Sequence, residues 1–281
     1  MSSVILVQFK TIYIDVQNTT EFNENHSQHR ELFFMSKEQI KETLSQARGF
    51  SDHLSFALYH DVNDHPDINY IFNLAAELGF RFDVRISSMK FIDHVEDNIS
   101  NNAISMVSLC VASLEEKGCL KEKKNIDLLL DAMRQLSSNN IQVLVDLPSK
   151  EPQHYNENTL SFISALGLDL NNKLWQKGFQ VSVEDHVMIR CCETIDNGEE
   201  LSQKKIGRCY GSVTMLGIMG NGNVIPCNHA NGQKIVFGNL FEEALSDILN
   251  REPYISISDG FYKNELVHLV CQHCPKPRKR F

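Results

Sequence analysis

The sequence predicts an α/β protein: a parallel sheet with helices packed outside it, followed by a small cysteine-bearing domain. Over the first two-thirds of the chain, short β-rich runs alternate with amphipathic runs. That alternation favours parallel strands joined by helical crossovers. About six such units are present, fewer than the eight of a closed barrel, so a partial barrel or open sheet is expected. The texture then changes at Cys209, where a hairpin candidate, a short helix candidate and a tail ending in CQHC follow one another.

The strand candidates are 4–16 (VILVQFKTIYIDV, with a break at Lys10), 54–60, 82–87, 103–111, 141–147 and 178–187. Between them, 37–48 reads as a helix opened by Ser36 with Gln39 three residues on, a capping-box pattern. A second helix is expected over 67–78, stopped by Gly79. A short one fits 90–98. A longer one fits 123–138, where Ile126, Leu129, Leu130, Met133 and Leu136 recur at helical spacing. Another fits 157–166, ending near Gly167. The polar run after the sixth strand reads as a linker. The expected division is therefore 1–188 for the βα region, 189–208 for the linker and 209–281 for the cysteine domain.

Composition narrows the function classes. The 281 residues carry a net charge of −9, which argues against a dedicated nucleic-acid binder. The basic tail KPRKRF is short and terminal, and reads as a solvated end. No stretch approaches the ~20 apolar residues of a membrane span. The start, MSSVILVQFK, lacks a basic n-region and a cleavage site. Eight cysteines without an export signal point to a reducing, cytoplasmic setting, where clustered thiols hold metal more often than they form disulfides.

Four of those cysteines, Cys209, Cys227, Cys271 and Cys274, are spaced C-x17-C-x43-C-x2-C. Between the first two lies Gly222 in the run GNGNVIPC, placed to let the chain turn tightly before a ligand-bearing strand. Four thiolates suit one metal centre, and spacing alone leaves a structural zinc ion and a cubane cluster both open.

The run C-x12-G-x4-C, then GNLFEEALSDILN, then C-x2-C resembles the auxiliary-cluster region of radical SAM enzymes, in the shortened twitch form of the SPASM domain. The resemblance implies that Cys209, Cys227, Cys271 and Cys274 hold one auxiliary [4Fe–4S] cluster, with a helix over Phe241–Asn250 packing the hairpin. It also implies that the upstream units form the partial (βα)6 barrel of that superfamily.

Departures from the family pattern carry as much information. The family's C-x3-C-x2-C belongs in the loop after the first strand, which here reads IDVQNTTEFNENHSQHR without a cysteine. Asparagine, threonine and glutamate do not replace soft thiolates on a cubane. His26 and His29 in that loop read as solvated. After the second strand, His65-Pro66-Asp67-Ile68 matches the family's His-Pro-Asp-Ile-like helix start and fixes the alignment. The Gly-Gly-Glu position, whose backbone approaches the amino group of S-adenosylmethionine, is then Tyr59-His60-Asp61. The polar turn after the third strand appears as Ser87-Ser88-Met89. The resemblance is thus to a degenerate, pseudo-radical-SAM member with a twitch domain, and S-adenosylmethionine is not expected as a cofactor.

Other residues have plainer readings. His60, Asp61, Asp64 and His65 lie at a strand end, where βα folds gather their sites. They read as a polar loop with Asp64 capping the next helix, in preference to a replacement metal or acid/base site. Asp146 at the end of the fifth strand is treated alike. Cys110, Cys119, Cys191 and Cys192 are assigned no chemical role. His229 and His273 neighbour cluster ligands and are read as donors to sulfur or as surface residues. Trp175 is read as packing.

Three functions follow as expectations. The first is a catalytically silent partner that binds a precursor peptide or a genuine radical SAM maturase. The second is electron transfer through the cluster to a partner enzyme. The third is a related enzyme with a non-standard S-adenosylmethionine or metal site. No nucleic-acid or membrane partner is expected.

Overall fold

The computed structural model describes residues 7–19, 32–58, 60–93, 95, 102–148, 154–168, 180–192, 205–207, 209–229 and 234–274. The chain divides into two compact units, one of Met1–Arg81 with Gly198–Phe281 and the other of Phe82–Asn197.

The first unit is built around strand β1 (Thr11–Ile14). After the ribbon of β2 (Gln17–Thr19) and β3 (Leu32–Phe34), helix α1 (Lys37–Arg48) leads to β4 (His53–Phe56). Strand β4 lies parallel to β1, pairing Ile12 with Leu54 and Tyr13 with Ser55. Helix α1 begins and ends where its capping box predicts: Ser36 Oγ accepts from the Gln39 amide while the Gln39 side chain accepts from the Ser36 amide. Its buried stripe is Ile40, Thr43, Leu44 and Ala47. Helix α2 (Ile68–Glu77) follows.

In the second unit, β5 (Arg81–Ile86), β6 (Ile104–Cys110), β7 (Gln142–Pro148) and β9 (Val187–Cys192) run parallel in that order. Strand β8 (Gln180–Glu184) closes the edge antiparallel to β9. Helices α3 (Lys90–Asp93), α4 (Val111–Glu116), α5 (Lys123–Ser138) and α6 (Glu157–Ala165) lie between the parallel strands in sequence. Helix α5 buries Ile126, Leu129, Met133 and Leu136 of the expected face, with Ala132 in addition, while Leu130 is only half-buried.

The C-terminal segment returns to the first unit. Strand β10 (Met215–Ile218) pairs parallel with β1 in a four-residue register, Thr11 to Met215 through Ile14 to Ile218. Strands β11 (Asn223–Ile225) and β12 (Gly238–Asn239) continue the sheet antiparallel. Helices α7 (Leu245–Ile248), α8 (Tyr254–Tyr262) and α9 (Leu269–Gln272) complete it.

Four local expectations are corrected. The run 178–187 is not one strand: it is β8 and the start of β9, reversed at Asp185-His186. The turn places His186 at φ 60°, without the glycine or asparagine that would announce it. The segment expected to be linker accordingly begins as strand, as far as Cys192. The helix expected over 241–250 is only Leu245–Ile248, because Asn239 turns the chain first. Its Oδ1 accepts from the Phe241 amide, its carbonyl accepts from Glu242 and Glu243, and Ala244 is extended. The β1 expectation shrinks to Thr11–Ile14, with residues 4–6 outside the described residues.

Candidate metal centre

Hairpin β10–β11 brings the first two cysteines together. The Cys209 sulfur accepts from the Gly211 amide at 3.4 Å. A Cβ added to Gly211 would sit 3.1 Å from the Pro226 carbonyl oxygen, 3.2 Å from Cys227 Cβ and 3.6 Å from Cys209 Sγ. Glycine therefore lets the strand carrying Cys227 close on the Cys209 loop. Gly222 turns the hairpin at φ +86°, its amide bonded to the Met219 carbonyl.

Cys271 and Cys274 lie in and just after α9, one turn apart, with the Cys274 amide donating to the Cys271 carbonyl at 3.3 Å. His268 caps that helix through Nδ1, and Gln272 Nε2 donates to the Leu266 carbonyl at 2.6 Å. All four thiols are partly exposed. Among the described residues, no group of three or more His, Cys, Asp or Glu side chains is arranged to hold a metal ion.

Two features beside the first pair fit a bound cluster. The Gly211 amide points at the Cys209 sulfur, the kind of donor that cluster thiolates accept. The Ser212 hydroxyl is buried without a hydrogen-bond partner among the described residues. Four soft thiolates are the donor set that iron–sulfur clusters use. His229 is buried close to Cys227 in sequence, whereas His273 turns Nδ1 to its own helix, 2.9 Å from the Leu269 carbonyl.

At the carboxyl ends of β1 and β4 the side chains are already committed to one another. Asp15, 4% exposed, lies 2.5 Å from His60 Nδ1. Burial pushes the Asp15 carboxyl above its ordinary range, against the opposing pull of His60. Gln17 Nε2 donates to the Asp61 carbonyl at 3.0 Å. Asp61 Oδ1 accepts from the Asn63 amide and caps the 3-10 turn Val62–Asp64; the N-cap of α2 is Asp67, without a side-chain capping bond, so Asp64 is not the cap of that helix. His65 is buried, with Nε2 3.1 Å from the Met35 carbonyl and Nδ1 accepting from the Asp67 amide at 3.0 Å. Burial holds that imidazole below its ordinary pKa. With both ring nitrogens engaged, His65 is a packing residue. Tyr59, the loop with His26 and His29, and Trp175 lie outside the described residues.

The second unit carries an arginine–thiol hydrogen bond and an ion pair that leave no mark in the sequence. Arg85 Nη2 donates to Cys110 Sγ at 3.0 Å, and Ser113 Oγ donates to the same sulfur at 3.2 Å. Burial opposes ionisation of Cys110, but the Arg85 charge and the Ser113 hydroxyl outweigh it and hold the thiol below its ordinary range. On the neighbouring strands, Arg190 Nη2 lies 2.7 Å from Asp146 Oδ1. Period-two spacing places Arg85, Ser108, Cys110, Asp146 and Arg190 on one face of the sheet, through the registers Arg85–Ser108, Cys110–Asp146 and Asp146–Arg190. Cys191 is buried and its thiol is pushed up by desolvation; Cys119 is half-buried. The Cys192 side chain lies outside the described residues.

Residues 209–275 match the family model of the SPASM iron–sulfur cluster-binding domain. No curated protein matches the chain. Among solved structures, BtrN in an open conformation is similar over 95% of this chain and 92% of its own, with a TM-score of 0.51 and 15% identity. SuiB of Streptococcus suis bound to its precursor peptide SuiA covers 90% of this chain and 67% of its own, with a TM-score of 0.53 and 14% identity. The protein anSMEcpe, with bound AdoMet and a peptide, covers 94% of this chain and 86% of its own, with a TM-score of 0.50 and 13% identity. At such identities the likeness is one of fold. The chain therefore has the fold of radical SAM enzymes and carries a SPASM region at its C-terminal end.

Proposed function

We propose that this protein is an iron–sulfur pseudo-radical-SAM protein that serves a genuine radical SAM peptide maturase, binding its precursor peptide or the enzyme itself. In this reading Cys209, Cys227, Cys271 and Cys274 hold a single auxiliary [4Fe–4S] cluster. The barrel-derived part runs through strand β9 to Cys192, 193–208 is the linker and 209–281 the cluster domain. The bound cluster would supply metal–thiolate bonds that stabilise its domain, and a one-electron couple.

The observation that carries this reading is the state of the β1 and β4 ends. No cysteine precedes Cys110 in the chain, so the loop after β1 offers no thiolate. The position that would need glycines for close approach to S-adenosylmethionine holds His60 and Asp61, engaged with Asp15 and Asn63. That SuiB and anSMEcpe, which share the fold, are seen with peptides supports peptide binding as the retained function. A second reading, electron transfer to a partner enzyme, uses the same four cysteines. A third, an enzyme with a replacement metal at His60, Asp61 and His65, is disfavoured by the backbone bonds of both His65 nitrogens.

The test is the iron, sulfide and zinc content of the full chain purified without oxygen, with S-adenosylmethionine binding measured on the same sample. About four irons and four sulfides per chain and no S-adenosylmethionine binding are expected. About one zinc replaces the cluster with a structural zinc site. About eight irons, or tight S-adenosylmethionine binding, overturns the pseudo-enzyme reading.

A further inference from the structure

Ser212 combines two costs that glycine at the same place would avoid. Its backbone is left-handed, at φ 61°. That conformation is strained for a non-glycine residue. Its side chain is also buried, with the residue 1% exposed and Oγ lacking a hydrogen-bond partner among the described residues. An unsatisfied buried hydroxyl adds a desolvation penalty that no hydrogen bond offsets.

The backbone around it is fully used. The Ser212 amide donates to the Met215 carbonyl at 2.9 Å and to the Pro226 carbonyl at 2.8 Å. Its carbonyl accepts from the Tyr254 hydroxyl at 3.1 Å. Burial pushes the Tyr254 phenol up to about 12, so it stays a donor. Ser212 is therefore fixed between Gly211, which contacts Cys209 and Cys227, and Pro226, which precedes Cys227. A rigidly held hydroxyl in this place lacks only a partner outside the polypeptide.

We infer that Ser212 Oγ donates a hydrogen bond to a sulfur of the cluster held by Cys209 and Cys227, and so sets its reduction potential. This rests on the cluster reading above. Hydrogen bonds to cluster sulfurs tune the potential, and a donor favours the reduced, more negative state. Ser212 is a positioning and tuning residue; it is not a ligand.

The test uses the full chain with Ser212→Ala and Ser212→Gly, each purified without oxygen. Iron and sulfide are counted, and the midpoint potential is read by spectroelectrochemical titration. Ser212→Gly suits the left-handed backbone, so it removes the hydroxyl without straining the turn. Both variants are expected to keep wild-type iron and to titrate at a more negative potential. Unchanged potentials with iron retained overturn the inference and leave the cluster reading standing. Loss of iron from both variants also overturns it, because a tuning donor is dispensable for assembly. A wild-type protein without iron removes the cluster reading itself.

Discussion

Gly222→Ala should be among the more damaging single-methyl additions in the C-terminal region. The added Cβ would lie 2.6 Å from Asn239 Oδ1 and 2.7 Å from Phe241 Cδ2. Asn239 has little freedom to give way: Nδ2 donates to the Asn221 carbonyl and to Asn223 Oδ1, both at 3.0 Å, while Oδ1 accepts from Phe241. The left-handed backbone contributes roughly 1–2 kcal/mol and the overpacking about 1–3 kcal/mol, for a loss of about 2–5 kcal/mol. That is a large share of the roughly 5–15 kcal/mol that stabilises a typical domain. Gly79→Ala is the internal reference within the same compact unit. It shares the left-handed backbone, at φ +79°, but its Cβ would meet only the Arg48 guanidinium at an ordinary 3.7 Å. Urea unfolding of both variants should give a midpoint for Gly222→Ala well below that of Gly79→Ala. Equal midpoints would refute the packing argument, since the backbone term alone would then account for both.

Three further outcomes follow from the geometry. Cys209→Ala or Cys227→Ala should lose bound iron and destabilise the C-terminal region, whereas Cys110→Ser and Cys119→Ser should leave iron unchanged; elemental analysis reads both. Arg85→Ala should move the pH midpoint of Cys110 alkylation upward, because the guanidinium holds the thiol low; peptide mapping after iodoacetamide labelling at several pH values would detect it. Asp15 titrates above its ordinary value when folded, so the native state binds its proton more tightly than the unfolded chain. Its contribution is then fully present below the unfolded pKa and is lost as pH rises through the folded one. Relative to wild type, Asp15→Asn should lack that decline, and paired urea titrations across the acid range would show the difference closing if the assignment is wrong.

The elements legible in the sequence are those whose signals are local. Helix α1 is bounded by a capping box within four residues, and α5 repeats its apolar face over four turns. The β8–β9 reversal was hidden because its turn, Glu184-Asp185-His186, holds no glycine, proline or asparagine to mark it. At the candidate site, the cysteine spacing and Gly222 were visible, since spaced thiols and a tight turn leave sequence marks. The Arg85–Cys110 contact joins residues on adjacent strands 25 positions apart, and Asp15–His60 joins two loops 45 apart. Neither has a spacing rule, so only the sheet register reveals them. Ser212 was invisible for another reason: a serine is ordinary until its burial and left-handed backbone are known.

The pairing of β10 with β1 gives the C-terminal cysteines a consequence in the first strand. Four residues of β1 face β10 in register, and Ile12 at the centre is fully buried. The hairpin that carries Cys227 is one side of that sheet, and Ser212 and Tyr254 tie its loop to α8. If the cluster holds Cys209 and Cys227 together, its removal frees one flank of β1. Cys227→Ala should therefore raise amide hydrogen exchange at Thr11–Ile14 as well as at Met215–Ile218, while the β6–β7 ladder of the other compact unit stays protected. Unchanged protection of β1 in the cluster-free chain would mean that the sheet is self-sufficient. The cysteines would then serve electron transfer or partner binding and make no structural contribution, which moves the weight to the second reading of the site.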